Sequence, residues 1–291
     1  MIRKSLLAVV AAVGLTSCLK DPVDSEITML GKEQEKIMDE YVASNGLTAK
    51  KEVLYDGNGN YFPIYSMIET KGDTINKFTN NEAVWVAYTI RTLENRVVET
   101  KAATDSVLIY ENGYSGKILG LSVGSTIFMG KGGKGRFLIP STLGYGTNPP
   151  GGVEYNAILM VDIEVIDRLS ESQQIQWYIK KNKLTNVETT SSGLIISKTV
   201  VTTDSLITGT TATVKFSGHF VNGFEFQKEA TGTNMVLSEY ISGFSEAVKL
   251  MRKGEKAIAI LPSKIAYGEN GGGTMPVFMP LVFKLELLDN N

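Results

Sequence analysis

The sequence predicts an α+β protein built twice: two antiparallel sheets, each wrapped on one short helix and each preceded by an extra helix. Three observations carry that expectation. Met251, Gly254, Lys256, Pro262, Ser263, Tyr267 and Gly268 lie 122 residues after Met129, Gly132, Lys134, Pro140, Ser141, Tyr145 and Gly146, which marks an internal duplication. Tyr178-Ile179-x-x-Asn182-x-Leu184 repeats Tyr41-Val42-x-x-Asn45-x-Leu47 at a distance of 137 residues, so both copies open with the same element. Between these landmarks most segments are short and rich in β-branched and aromatic residues, and few carry a helical period.

The chain opens on something separate from the fold. Arg3 and Lys4 precede an apolar run from Leu6 to Leu15, then Thr16, Ser17 and Cys18. That is a charged segment, a short apolar segment and a small-residue cleavage site, and it is too short to span a bilayer as an ordinary helix. Leu15-Thr16-Ser17-Cys18 resembles the lipobox of bacterial lipoproteins, and the chain's one cysteine sits at the lipid-bearing place. Residues 1–18 are therefore read as a lipoprotein signal peptide, with the membrane as partner through the lipid on Cys18. Leu19 after the cysteine points to the outer membrane. The polar stretch 19–31 (Asp21, Pro22, Asp24, Ser25) reads as a tether.

From Lys32 onward Ile37, Met38, Tyr41 and Val42 form an apolar face at helical spacing, and Asn45-Gly46 is a suitable stop. The first copy spans 32–168 and the second 169–291. Within the first, Ala83–Leu93, Val107–Tyr110, Arg136–Ile139 and Ile158–Ile166 read as strands. In the second, Thr213–Val221 places Val214, Phe216, Gly218 and Phe220 on one face, and Leu281–Leu288 alternates in the same way. Phe244, Ala247, Val248 and Met251 fall at i, i+3, i+4 and i+7 and predict the covering helix. Lys253-Gly254 is a turn and Ala257–Ile260 a strand stopped by Pro262. The loop from Ser263 to Gly268 then turns Tyr267 inward.

The composition is that of a globular protein, 43% hydrophobic and 21% charged, and a net charge of −2 excludes a polyanion partner. No nucleic-acid signature is present. Gly130-Lys131-Gly132-Gly133-Lys134-Gly135 fits a nucleotide-binding pattern letter for letter, but a strand and Pro140 follow where that motif needs a helix, so it reads as a turn. His219, the one histidine, reads as a strand-surface residue rather than a metal ligand. Gly271-Gly272-Gly273 reads as a loop tip.

The ordered set Val214-x-Phe216-x-Gly218, Asn222-Gly223-x-x-Phe226, Tyr240-Ile241-x-Gly243-Phe244, Met251-x-x-Gly254-x-Lys256, Leu261-Pro262-Ser263, Ala266-Tyr267-Gly268 and Leu281-Val282-Phe283-x-Leu285-Glu286-Leu287 resembles the macrolide-binding (FKBP-type) peptidyl-prolyl cis/trans isomerases. The first copy resembles them more loosely, through Val86-x-Tyr88, Met129-x-x-Gly132-x-Lys134, Ile139-Pro140-Ser141, Tyr145-Gly146 and Leu159-x-Val161-Asp162-x-Glu164. The resemblance implies two tandem domains of this fold and a prolyl isomerase or folding factor of the cell envelope, acting on proline-containing segments or unfolded proteins without a cofactor or metal. The competing expectation is a non-catalytic peptide-binding or structural lipoprotein.

Carried onto the second copy, the resemblance implies an apolar cleft. Phe226, Tyr267, Phe283, Phe244 and Ile241 would act on the peptide, with Phe244 as floor, the Ile241 N–H and the Tyr267 hydroxyl directed at peptide carbonyls. Phe216, Gln227, Tyr240 and Met275 would complete the lining. Gln227 stands where the family carries an acid. In the first copy Tyr88 and Tyr145 mark a weaker second site, Val98-Glu99 replaces Phe226-Gln227, Val161 replaces Phe283, and the floor falls on Leu121 or Ser122. Gly120 and Gly124 weaken the helix expected there.

Lipidation has a direct test. The Cys18→Ser protein should move from the membrane to the soluble fraction on fractionation, and an unchanged distribution would refute the anchor.

Overall fold

The computed structural model describes residues 24–75, 82–105, 107–110, 117–206, 209–272 and 275–289. The signal peptide, Cys18 and the start of the tether lie outside them. Among the described residues no helix is long and apolar enough to cross a membrane. The chain divides into two compact units.

The first unit opens with α1 (Glu26–Ser44). This corrects the expected tether: the helix begins at Glu26, within residues 19–31, with Ser25 capping it by accepting from the Thr28 N–H at 3.1 Å. Gly31 is no break, because a Cβ there would lie 2.4 Å from the Tyr61 carbonyl oxygen. The glycine lets the helix lie directly on the sheet. Next along the chain come β1 (Lys50–Tyr55), β2 (Tyr61–Thr70), β3 (Glu82–Thr92), β4 (Val97–Lys101), β5 (Val107–Ile109), α2 (Leu119–Thr126), β6 (Lys134–Ile139) and β7 (Leu159–Ser170), of which β5, the start of β3 and the end of β7 group with the second unit. They form an antiparallel sheet in the order β1-β2-β6-β7-β3-β4, with β5 paired to β3.

The second unit repeats this plan with α3 (Glu171–Lys181), β8 (Val187–Thr189), β9 (Ile195–Val200), β10 (Thr211–Phe220), β11 (Glu225–Val236), α4 (Ser242–Lys249), β12 (Lys256–Leu261) and β13 (Leu281–Asp289). Its order, β8-β9-β12-β13-β10-β11, matches that of the first sheet strand for strand. The second unit begins at Ile166 and takes in the described parts of Ile75–Val86 and Ser106–Lys117. Ala83, Leu108 and Tyr110 bury in its core, and the Tyr110 ring lies 6.3 Å from that of Phe220. Burial, not chain continuity, sets the boundary.

Alternation along the strands explains how each sheet carries two layers of helix. In β6, Phe137 and Ile139 face α2, since a Cβ on Gly124 would meet Phe137 at 3.2 Å and one on Gly120 would meet Ile139 at 2.2 Å. Leu138, on the other face, clusters with Met38 of α1, Tyr65, Ile158 and Met160. The glycines expected to weaken α2 are what allow it to approach the sheet. The long strand β11 escaped the sequence reading because of its twelve residues Met235 alone is buried, so it shows no apolar alternation. The glycine-rich run at 130–135 is a turn, as read: Gly130 donates to the Lys71 carbonyl at 2.8 Å, and β6 follows.

One buried charge holds the turn before β12. Glu255 is 0% exposed, pairs with Lys198 Nζ at 2.8 Å, and accepts from the Arg252 N–H at 2.9 Å and the Thr202 N–H at 3.3 Å. Burial pushes its carboxyl upward, but Lys198 and these donors outweigh it and hold it below the usual range. A depressed carboxyl contributes stability above its unfolded value and loses it as pH falls through the folded one. Glu255→Gln should therefore cost on the order of 3 kcal/mol at neutral pH. In denaturant titrations the gap to wild type should close in acid; a pH-independent gap would contradict this account.

Candidate functional site

The site is built on β10, whose inward residues alternate with outward ones over its whole length. Phe216 and Phe220 are buried on the inner face, with Gly218 between them. Gly218 pairs with Gln227 of β11 on one side and with Phe283 of β13 on the other. The pairing then skips Phe226, because His219 is opposite Glu225. This bulge turns the Phe226 ring over the bare glycine. A Cβ on Gly218 would lie 2.6 Å from two Phe226 ring atoms and 3.0 Å from Phe283.

Around that point the rings converge. Phe226 meets Phe283 edge-to-face at 5.9 Å, Phe283 meets Phe244 at 5.1 Å, and Phe216 meets Phe244 at 5.3 Å. Tyr240 lies 5.3 Å from Phe244, and Phe220 supports Phe226 from behind at 5.0 Å. Such pairs contribute about 0.5–1.5 kcal/mol each beyond the area they bury. Phe244 is buried as the third residue after the N-cap Ile241 of α4, so the helix start sets the floor. Among the described backbone hydrogen bonds none uses the Ile241 N–H, which stands at the helix entrance. Met275 packs on the same core from the loop before β13.

Two expected site residues sit differently. Tyr267 is 38% exposed, and among the described residues its ring makes no contact with the phenylalanines. Its ring instead covers Gly272, where a Cβ would be 2.6 Å from it. The loop therefore leaves this tyrosine part-exposed against Gly272, not turned inward. Gln227 is exposed on β11, outside the ring cluster. His219 lies on the outer face of β10, 2.8 Å from the Ser217 hydroxyl, and burial lowers its pKa.

The first unit keeps the scaffold and changes its filling. Its β3–β4 pairing skips Val98 as β10–β11 skips Phe226, since Ile90 is opposite Glu99 and Arg91 opposite Val97. Ile90, fully buried, thus stands where the second unit has Gly218. Both covering helices are eight residues long with an isoleucine N-cap, so the third position after the cap makes Leu121, not Ser122, the counterpart of Phe244. Tyr88 donates to Glu99 Oε1 at 2.8 Å, and burial followed by that carboxylate raises its pKa. Burial and then the charge of Glu99 push Tyr145 up to about 12, so it is a neutral donor at physiological pH. Sequence reasoning missed the role of Gly218, although its place in the β10 alternation was the available signal.

Two surface depressions are also present, one touching Tyr88 and the other Phe216. One, of about 400 Å³ in the first unit, is walled by Tyr88, Lys101, Arg136 and Asp162; another, of about 450 Å³ in the second, by Lys215, Lys228, Lys256 and Lys284. Among the described residues no group of His, Cys, Asp and Glu is placed to hold a metal ion.

A family model described as FKBP-type peptidyl-prolyl cis-trans isomerase matches residues 203–288, the stretch that carries this ring cluster. That stretch is therefore similar to the FKBP-type family. The FKBP-type peptidyl-prolyl cis-trans isomerase FkpA of Buchnera aphidicola subsp. Acyrthosiphon pisum is 33% identical over 121 residues, covering 40% of this chain and 50% of the relative. FkpA of Escherichia coli strain K12 is 28% identical over 145 residues, covering 47% and 52%. The chain thus spans about half the length of the curated relatives it matches. The crystal structure of FkpA from Escherichia coli aligns with 29% identity over 41% of this chain and 58% of that chain, at a TM-score of 0.38.

The bare glycine under Phe226 is testable. Gly218→Ala should displace the Phe226 ring and cost about 1–3 kcal/mol of stability through overpacking. Chemical shifts of the Phe226, Phe283 and Phe244 ring protons should move together, and unchanged shifts would mean the ring does not rest on Gly218.

Proposed function

We propose that the protein is a peptidyl-prolyl cis/trans isomerase or folding factor of the cell envelope, anchored through Cys18, with catalysis in the FKBP-type domain of residues 169–291. The observation that carries this reading is the cluster of Phe216, Phe226, Phe244 and Phe283, opened by Gly218, inside the matched stretch. The names of the relatives describe the same activity.

The chemistry suits such a surface. Rotation about an X-Pro bond breaks amide resonance against a barrier of about 18–20 kcal/mol. The twisted amide is less charge-separated than the planar one, so an apolar, water-poor surface favours it over the ground state. The Ile241 N–H and the Tyr267 hydroxyl at the rim would hold the flanking carbonyls while Phe226, Phe244 and Phe283 enclose the proline ring, with Tyr240 and Met275 at the border. Shortening a half-time of tens of seconds to milliseconds takes a factor of about 10⁴, or roughly 5.5 kcal/mol. No nucleophile, cofactor or metal takes part. Substrates are proline-containing segments of peptides or unfolded proteins.

For residues 32–168 the second reading, a non-catalytic peptide-binding or structural domain, is the better supported. Ile90 fills the place of Gly218, Val161 replaces Phe283, and Glu99 is engaged by Tyr88. The weaker second site, Tyr88 and Tyr145, then presents hydroxyls in place of phenylalanine rings.

Isomerisation of a proline tetrapeptide by the full chain separates these readings. Phe226→Ala should lower kcat/KM at least about tenfold and Tyr267→Phe about threefold, the size of a lost ring contact and a lost hydrogen bond. Tyr145→Phe should leave the rate unchanged. An inactive wild type would end the enzyme reading, and full activity in Phe226→Ala would end the site assignment.

A further inference from the structure

The two units pin their tyrosine loops with the same device. In the second unit a 3₁₀ turn, Ser263–Ile265, follows Pro262 and leads to Tyr267. The Ser263 carbonyl closes the loop by accepting from the Ala266 and Gly268 N–H groups, each at 2.8 Å. Gly268 in turn accepts from the Phe278 N–H at 2.9 Å. Ser263 itself is 5% exposed, so its own N–H needs a buried acceptor. That acceptor is the carboxylate of Glu171, at the start of α3, far away in the chain.

The first unit repeats every part. Ser141 accepts from Gly144 and Gly146 at 2.9 Å, Gly146 accepts from Asn156 at 2.8 Å, and the Ser141 N–H donates to Gln34 Oε1 at 2.8 Å. Gln34 of α1 and Glu171 of α3 lie 137 residues apart, the same distance as Tyr41 and Tyr178. Gln34 also donates to Ser141 Oγ at 3.0 Å and to the Asn156 carbonyl at 2.7 Å. The duplicated helix therefore does more than pack: one side-chain oxygen on it holds the loop that carries the tyrosine.

We infer that Glu171 is a positioning residue for peptide binding by the second unit, setting the place of Tyr267 through the Ser263 N–H. The inference rests on the reading of Tyr267 as a peptide contact. The role belongs to the acceptor oxygen and not to the charge, because a glutamine occupies the equivalent place in the first unit. Reach matters too, since an aspartate is one methylene too short.

The test uses the full chain with Glu171→Gln, Glu171→Asp and Glu171→Ala, read by amide hydrogen exchange of residues 263–268 and by isomerase kinetics. Asp keeps the negative charge at the start of α3, so it separates loss of reach from loss of helix stability. The Asp and Ala proteins should exchange the Ser263 amide about tenfold faster, the effect expected of one lost hydrogen bond to a buried amide. They should raise KM with little change in kcat, while exchange in β13 of the Asp protein changes less than exchange of residues 263–268. The Gln protein should match wild type within about twofold. Equal exchange in all four proteins, or a Gln protein as perturbed as the Asp one, would overturn the inference. A chain without isomerase activity would defeat the functional reading but leave the exchange result to decide the role of Glu171.

Discussion

A missing side chain governs the second unit. Because Gly218 has no Cβ, the Phe226 ring can rest on the β10 backbone, and Phe283 and Phe244 can close around it at 5–6 Å. Strand pairing supplies the geometry: the bulge that skips Phe226 is set by two registers of β10, one against β11 and one against β13. An inward residue with any side chain would fill the space that the ring now occupies. The rings, their spacing and the apolar character of the site follow from that one vacancy in the strand's inner face.

The first unit shows the same scaffold with the vacancy filled. The strand order, the bulge, the eight-residue helix capped by isoleucine and the closed tyrosine loop are all retained. Ile90 occupies the position of the glycine, Leu121 that of the phenylalanine floor, and a Tyr88–Glu99 hydrogen bond lies where the second unit is apolar. Duplication preserved backbone hydrogen bonding, which every strand and turn must satisfy, while side-chain volume was free to diverge. The contrast is therefore one of side-chain filling on a shared backbone.

The extra helices belong to the same logic. Each lies on its sheet through Met38 or through Ile175 and Tyr178, and each sends one oxygen-bearing side chain to a buried serine N–H. A buried amide without an acceptor is costly, so the helix and the loop stabilise one another. The backbone of both loops also passes through a left-handed residue, Asn156 in one and Phe278 in the other. Strain of that kind persists where surrounding contacts over-determine the path.

The sequence by itself determined the duplication, the strands with apolar alternation, the covering helix and the membership of the ring set, because each leaves a periodic or positional mark on a linear chain. It did not reveal β11, which faces water along most of its length, nor the early start of α1, where the polar stretch 19–31 read as a tether and Gly31 serves as a contact. Only the tertiary structure decided that Tyr267 stays part-exposed against Gly272, that Leu121 is the counterpart of Phe244, that Gly218 makes room for Phe226, and that Glu171 holds Ser263. Those facts depend on distances between residues far apart in the chain, and such distances come into being only when the strands pair and the helices pack.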